Sequence, residues 1–204
     1  MDYIYLQEEE EGEGEEEEMG TQRFDILLQK LMKSRTIVIA DEITKQLAQR
    51  VLAQLLILEQ ESPKEDIKIF INSPGGDADA GFAIYDMMRF IKPKVKAICA
   101  GVAASAAVII LIGAKKEYRF SLENSRILIH QPSTGVHGTA SDIQIEASEI
   151  LKCREKINKL IAVETGQKVE KVENDTKRNY WMSAEEGIKY GLLNKIVKTL
   201  DDIK

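Results

Sequence analysis

The sequence has little of what a secreted, metal-binding or membrane-spanning protein needs. It holds two cysteines and two histidines in 204 residues, and neither Cys99 nor Cys153 lies in a CxxC pair or near a histidine cluster. A disulfide framework and a metal site are therefore not indicated. The longest apolar run, about Ala100 to Ala114, is interrupted by Ser105 and is shorter than the ~20 residues that cross a bilayer. We expect a cytoplasmic protein without a metal or a membrane partner.

The opening segment has no basic residue. Residues 1–18 carry Asp2 and nine glutamates, whereas the rest of the chain carries 24 acidic and 28 basic side chains. A secretory signal would need positive charge before an apolar stretch, and like charges between Glu8 and Glu18 oppose folding. We predict a flexible acidic segment over residues 1–20 and one folded domain over residues 21–204. The acidic segment either has a function of its own or is a solvated tail without one. The scattered basic residues do not favour nucleic-acid binding.

Beyond residue 20, apolar spacing typical of helices alternates with short β-branched runs typical of strands. This alternation predicts an α/β fold in which helices pack on a largely parallel sheet. A capped helix start is predicted at Ser183. The predicted helices are Phe24–Met32, Thr44–Glu61, about Ala80–Ile91 and from about Ala103, and the predicted strands are Arg35–Ala40, Ile67–Asn72, about Val95–Ala100, Arg126–His130 and Lys195–Lys198.

A second long amphipathic helix is predicted from Ser141 to about Val163. At 1.5 Å per residue it would be about 30 Å long, which is more than a crossover in a domain of this size needs. A projecting helix with an apolar stripe requires a partner surface. We therefore expect this helix to mediate self-association.

Residues that are suited to acyl-transfer chemistry follow three of the predicted strands. Gly75 and Gly76 follow one strand, Ser105 opens a helix after the next, and His130 ends a third. Alone, the glycines are explained by a tight turn and the serine by close helix packing. Together they place backbone N–H donors, a nucleophile and a base at the carboxyl edge of the sheet, where α/β proteins bind ligands. His137 is expected to be exposed.

Four sequence blocks resemble, in order and spacing, those of the ClpP family, the proteolytic subunits of Clp proteases. They are Ile71–Gly76 (INSPGG), Gly101–Ser105 (GVAAS), Leu128–Pro132 (LIHQP) and Asp175–Asn179 (DTKRN). The resemblance implies the crotonase-like β-α spiral, in which the helix Ser141–Val163 is the projecting handle. It also implies that Ser105 is the nucleophile of a serine endopeptidase, that His130 is its base, and that Gly76 and Ala106 supply the oxyanion-hole N–H groups.

The resemblance also implies partners. Members of the family stack two seven-membered rings into a chamber that degrades unfolded polypeptides delivered by an AAA+ unfoldase of the Clp type. The unfoldase uses the ATP, so we expect this chain to need no cofactor. The positions that match the family's apolar unfoldase-docking cleft are Phe70, Phe90, Ile98 and Phe120, while Lys68 stands where an aromatic residue is usual.

Asn179 departs from the family pattern, which has an aspartate that orients the histidine. Lys177 stands where an acid is usual, and Ala106 replaces a methionine. Three functions therefore remain open. The chain is an active peptidase, or it is a weakly active or inactive ring component that modulates a related catalytic ring, or it is a crotonase-type acyl-CoA enzyme. The presence of both Ser105 and His130 at the spacing of the family opposes the last two functions.

Overall fold

A computed structural model describes residues 26–203. The chain divides into a unit Met1–Thr36 and a unit Ile37–Lys204. In the first unit, residues 26–33 are helical, which confirms the described part of the helix predicted at Phe24–Met32. The acidic segment lies outside the described residues, so its predicted flexibility and the predicted boundary at residue 20 stay predictions.

The second unit alternates strands and helices, as the sequence pattern predicts. Its strands are β1 (Thr36–Ile39, which begins at the last residue of the first unit), β2 (Ile67–Ser73), β3 (Val95–Ala104), β4 (Arg119–Ser121), β5 (Arg126–Ile129), β6 (Tyr180–Ser183) and β7 (Lys195–Ile196). Its helices are α1 (Lys45–Glu61), α2 (Ala78–Phe90), α3 (Ala106–Leu111), α4 (Ala140–Thr165), α5 (Val169–Asp175) and α6 (Ala184–Tyr190). Short 3₁₀ turns form at Lys116–Tyr118 and Leu200–Ile203.

Side-chain caps mark where α1, α2 and α6 begin. The Thr44 hydroxyl accepts a hydrogen bond from the Leu47 N–H at the start of α1, and Asp77 accepts one from Ala80 at the start of α2. Ser183 forms the predicted capping box with Glu186 at the start of α6. These contacts satisfy N–H groups that the first helical turn leaves without partners. The predicted apolar stripe of α1 is confirmed, because Leu47, Val51, Leu55 and Leu58 are all buried.

Strand β3 divides the sheet into two branches. Within the described residues the strand order is β1-β2-β3-β4-β7, while β5 also pairs with β3 and carries β6 on its other side. The first half of β3 pairs in parallel with β4 through Ala97–Cys99, and its second half pairs in parallel with β5 through Val102–Ala104. The helix predicted from about Ala103 therefore begins three residues later, because this pairing keeps the chain extended to Ala104.

Gly101 lies where β3 passes from one partner to the other. Its φ of +124° favours glycine, and a Cβ atom there would lie 2.4 Å from Asn72 Oδ1. Two side chains replace the interrupted ladder, since Asn72 Oδ1 accepts from the Val102 N–H and Ser125 Oγ accepts from the Gly101 N–H. The bend is thus built from one glycine and two polar side chains that hydrogen-bond to the strand.

Helix α4 is buried only toward its carboxyl end. Its buried residues are Ile157, Asn158, Ile161, Ala162 and Thr165, whereas the apolar Ile143, Ile145 and Leu151 are 46%, 60% and 52% exposed. At 1.5 Å per residue, 26 residues span about 39 Å. The predicted long helix with an uncovered apolar face is therefore confirmed. No helix within residues 26–203 is long and apolar enough to cross a membrane.

The end of α4 is fastened by the fully buried guanidinium of Arg119 on β4. This group donates to the carbonyl oxygens of Ala114, Ile112 and Glu164 and forms an ion pair with the Glu164 carboxylate. Arg89 binds the same carboxylate from the more exposed side. Burial lowers the pKa of Arg119, and the Glu164 carboxylate opposes this effect. Four hydrogen-bond acceptors thus compensate one buried charge.

We predict that Arg119→Met destabilises the protein by about 3 kcal/mol, because it leaves buried carbonyls and a carboxylate without their donor. Arg89→Met is the matched control and should cost less than about 1 kcal/mol, since its ion pair lies at the surface. Urea unfolding at fixed protein concentration measures both. Equal losses would show that burial of Arg119 does not set its contribution.

Candidate active site

The loops that follow three neighbouring parallel strands meet at one edge of the sheet. Strand β2 leads into the turn 73–76, β3 leads into Ser105, and β5 leads into His130. Asn179 reaches the same edge from the other direction, because it immediately precedes β6, which is antiparallel to β5. The structure therefore brings together the residues that the sequence places at separate strand ends.

The turn after β2 requires its two glycines. Gly75 and Gly76 have φ values of +97° and +149°. A Cβ atom on Gly75 would lie 2.8 Å from Ser105 Cβ, and one on Gly76 would lie 2.4 Å from Ile43 O. Ile43 holds the turn in place, since its N–H donates to Gly75 O and its carbonyl accepts from the Asp77 N–H. Within residues 26–203 the Gly76 N–H donates no hydrogen bond, which leaves it free for a ligand.

Ser105 has a strained backbone. Its φ of 54° and ψ of −120° are rare for a residue with a Cβ atom and cost on the order of 1–3 kcal/mol. The surrounding structure imposes this geometry, because the Ser105 N–H donates to Leu128 O at 2.9 Å and the next residue, Ala106, begins α3. The serine hydroxyl does not cap the helix it precedes. It is therefore available for chemistry.

His130 contacts Asn179 through one ring nitrogen. His130 Nδ1 lies 3.0 Å from Asn179 Oδ1. Because an amide oxygen can only accept, this contact is a hydrogen bond in the tautomer that carries its proton on Nδ1. That tautomer leaves a lone pair on Nε2, as a general base requires. His137, by contrast, is exposed, as predicted.

The three strand ends enclose a cavity of about 170 Å³. Gly76, Ser105, Ala106 and His130 all line it. The first-turn N–H of Ala106 also donates no hydrogen bond within the described residues, so it joins Gly76 as a free donor. No hydrogen bond joins the Ser105 hydroxyl to His130 in the part of the chain that the structure describes.

The apolar wall of this cavity is not among the features predicted from the sequence. Ile157 and Ile161, from the buried end of α4, line it together with Val108 and Ile109 of α3. Ile157 and Ile161 are four residues apart and so lie on one face of the helix. This spacing is the signal in the sequence from which the wall could have been predicted. The apolar spacing of α4 predicts an association surface and not this wall. Helix α4 therefore also shapes the space beside Ser105.

The residues of the predicted docking cleft are only partly brought together. Phe70, Ile98 and Phe120 lie side by side on β2, β3 and β4, and Val197 and Ile203 complete a buried cluster with them. Ile98 and Phe120 are buried, whereas Phe90 lies at the end of α2, is 78% exposed and is not part of the cluster. The assignment of these residues to a docking cleft stays a prediction.

A strained serine, a histidine and two free N–H groups around one cavity are an arrangement typical of serine hydrolases, although here an amide rather than a carboxylate contacts the histidine. Comparison with known proteins narrows this class. The family model described as Clp protease matches residues 18–200. The chain therefore belongs to the Clp protease family and has the ClpP fold.

Individual relatives agree with this assignment. The chain is 52% identical over 179 residues to ATP-dependent Clp protease proteolytic subunit 2 of Treponema denticola, covering 88% of this chain and 90% of the relative. It is 46% identical over 178 residues to the protein of the same name in Treponema pallidum, with 87% and 89% covered. A solved ClpP1 mutant of Listeria monocytogenes, in which an asparagine is replaced by aspartate, is 47% identical with a TM-score of 0.81 and covers 87% of this chain and 99% of its own.

We predict that Ser105→Gly is more stable than Ser105→Ala by about 1 kcal/mol. Both variants remove the hydroxyl, but only glycine adopts a φ of 54° without the cost of a Cβ atom. Thermal unfolding of the two proteins at equal concentration measures the difference. Equal or lower stability of the glycine variant would show that the Ser105 backbone is not strained.

Proposed function

We propose that this chain is a serine endopeptidase subunit of an ATP-dependent Clp-type protease that cleaves unfolded polypeptides in the cytoplasm. One observation carries the proposal. Ser105, His130 and the free N–H groups of Gly76 and Ala106 line a single cavity, and Asn179 binds His130 on the ring atom that leaves Nε2 as the base. Membership of the Clp protease family supports the reaction class.

In the proposed mechanism, Ser105 Oγ attacks the peptide carbonyl while His130 Nε2 accepts the hydroxyl proton. The N–H groups of Gly76 and Ala106 stabilise the negative oxygen of the tetrahedral intermediate. His130 then donates its proton to the leaving amine, and water hydrolyses the acyl-enzyme by the same steps in reverse. The missing hydrogen bond between Ser105 and His130 forms when substrate or subunit contacts close the site, as in many unliganded enzymes.

Asn179 supplies only part of what an aspartate supplies. Its Oδ1 orients the imidazole and selects the tautomer, but its neutral amide does not stabilise the imidazolium that forms during attack. Lys177 and Arg178, which precede it, are both exposed and add positive charge to the same loop. We therefore expect slow hydrolysis by the chain alone.

The proposed working form is a chamber of stacked rings. The exposed apolar residues Ile143, Ile145 and Leu151 of α4 would be buried between subunits, which supplies a reason for assembly. The relatives are named ATP-dependent, so a partner of the AAA+ unfoldase type would hydrolyse the ATP and deliver polypeptide. In this proposal the chain itself binds no nucleotide and needs no other cofactor.

A second function is favoured by the Asn179 loop. There, a neutral amide contacts His130, and the ammonium of Lys177 donates to Asn174 Oδ1 at 2.7 Å. Both positions hold an acid in the usual family pattern that the sequence resembles. A chain of this kind would assemble with a related, catalytic ring and modulate it. The mass of the purified chain, together with its labelling by a fluorophosphonate probe, separates this function from that of an independent peptidase.

We predict that Ser105→Ala abolishes both peptide hydrolysis and fluorophosphonate labelling while the assembly mass stays unchanged, because it removes the nucleophile. Ser133→Ala is the matched control, since Ser133 lines the same cavity, and it should keep both activities. Quantitative labelling and peptidase assays measure the two variants. Labelling that persists in Ser105→Ala would place the nucleophile elsewhere.

We predict that Asn179→Asp raises peptide hydrolysis by at least about tenfold, which corresponds to about 1.4 kcal/mol of barrier. The added carboxylate would stabilise the imidazolium through the existing 3.0 Å contact. Asn174→Asp is the control, because it adds the same charge to the end of α5 without contacting His130. If the wild type is already as fast as Asn179→Asp, the asparagine is fully competent and the second function loses its support.

A further inference from the structure

Gln131 binds the segment that carries Asn179. The Gln131 backbone N–H donates to Thr176 O at 2.7 Å, and its side-chain Nε2 donates to Lys177 O at 3.1 Å. Gln131 directly follows His130, yet it does not line the cavity beside Ser105. Its side chain does not line that cavity and instead binds the loop behind the histidine.

The loop between α5 and β6 is fixed at its two ends by burial and strand pairing, whereas its middle is exposed. At one end Thr176 is buried, and its hydroxyl lies 2.8 Å from Val172 O and 3.0 Å from Asn158 Oδ1. At the other end Tyr180 pairs with Ile129. Residues 177–179 between them are exposed. The Gln131 amide binds this middle part, two residues before Asn179.

The contact between Asn179 and His130 needs such support. At 3.0 Å it is a normal hydrogen bond, and a displacement of about 1 Å would abolish it. A carboxylate in the place of the amide would still attract the imidazolium over a longer distance, because charge–charge attraction falls slowly with separation. A neutral amide has no charge, so it does not attract the imidazolium in this way over a longer distance. In this chain the interaction therefore depends on where the loop holds Asn179.

We infer that Gln131 is a positioning residue, whose side-chain N–H holds the Lys177 carbonyl so that Asn179 Oδ1 meets His130 Nδ1. The inference rests on the proposed function for its effect on catalysis, but the positioning itself is a matter of geometry. The sequence does not predict this role, because Gln131 directly follows His130 and looks like part of the same strand end.

The test compares two substitutions at Gln131 with a matched control. Gln131→Met keeps the length of the side chain and removes the donor, so kcat should fall about fivefold while KM stays unchanged. Gln131→Lys restores an N–H donor and should recover most of the loss. Gln167→Met is the control, because Gln167 Nε2 also donates to a carbonyl, Tyr190 O at 2.9 Å, away from the cavity. It should leave kcat unchanged.

A double-mutant cycle separates positioning from a general structural effect. In an Asn179→Ala background, Gln131→Met should have no further effect on kcat, because the residue that it positions is gone. An undiminished fivefold loss in that background would overturn the inference, as would an equal loss in Gln167→Met.

Crystal structures of the variants supply a readout that does not require activity. The distance between His130 Nδ1 and Asn179 Oδ1 should exceed about 3.5 Å in Gln131→Met and stay near its wild-type value in Gln167→Met. An unchanged distance in Gln131→Met overturns the inference. A wild-type chain that neither hydrolyses peptides nor reacts with fluorophosphonate overturns the proposed function instead, and the measured distance still decides the role of Gln131.

Discussion

The division of β3 between two partner strands is the constraint on which the site depends. Its first half pairs with β4 and its second half with β5, and Gly101 allows the bend between them. The second pairing sets the end of β3 against β5, so that the Ser105 N–H donates to Leu128, two residues before His130. Ser105 and His130 therefore lie at the same cavity because one strand changes partner.

The candidate site is organised by backbone geometry more than by charge. Ser105 is held in a strained conformation, Gly75 packs against it where a larger residue would collide, and the partner of His130 is a neutral amide. Preorganised N–H groups are effective in such a site because they need not reorient as the oxyanion forms. Because the Asn179 side chain is neutral, its alignment with His130 Nδ1 depends on the loop that carries it.

Helix α4 joins the candidate site to an exposed apolar surface that the proposed assembly would bury. Near its carboxyl end, Ile157 and Ile161 form a wall of the cavity, and the buried Arg119 fastens that end through Glu164. Toward its amino end the same helix exposes Ile143 and Ile145. Because a helix is a stiff element, a displacement caused by subunit packing along its exposed part would also move its buried part. The residues of that buried part line the cavity. This connection supplies a physical route by which ring formation would influence catalysis.

Local signals in the sequence determined most of the elements. Apolar spacing predicted α1 and α4, Ser183 with its downstream glutamate predicted a capping box, and glycine, serine and histidine at successive strand ends predicted the shared edge of the site. These signals are readable because each depends on residues a few positions apart. The helix predicted from about Ala103 forms, but it begins three residues later, because small residues suit either structure and the distant partner β5 keeps the chain extended to Ala104.

Only the tertiary structure decided the features that depend on distant pairs. The bend at Gly101, the strain at Ser105, the burial of Arg119 and the hydrogen bond from Gln131 to Lys177 each join segments that are far apart along the chain or are imposed by such segments. The tertiary structure also decided that Phe70 and Ile98 belong to one cluster that does not include Phe90. No local pattern encodes these contacts, because they arise from packing of the whole sheet and its helices.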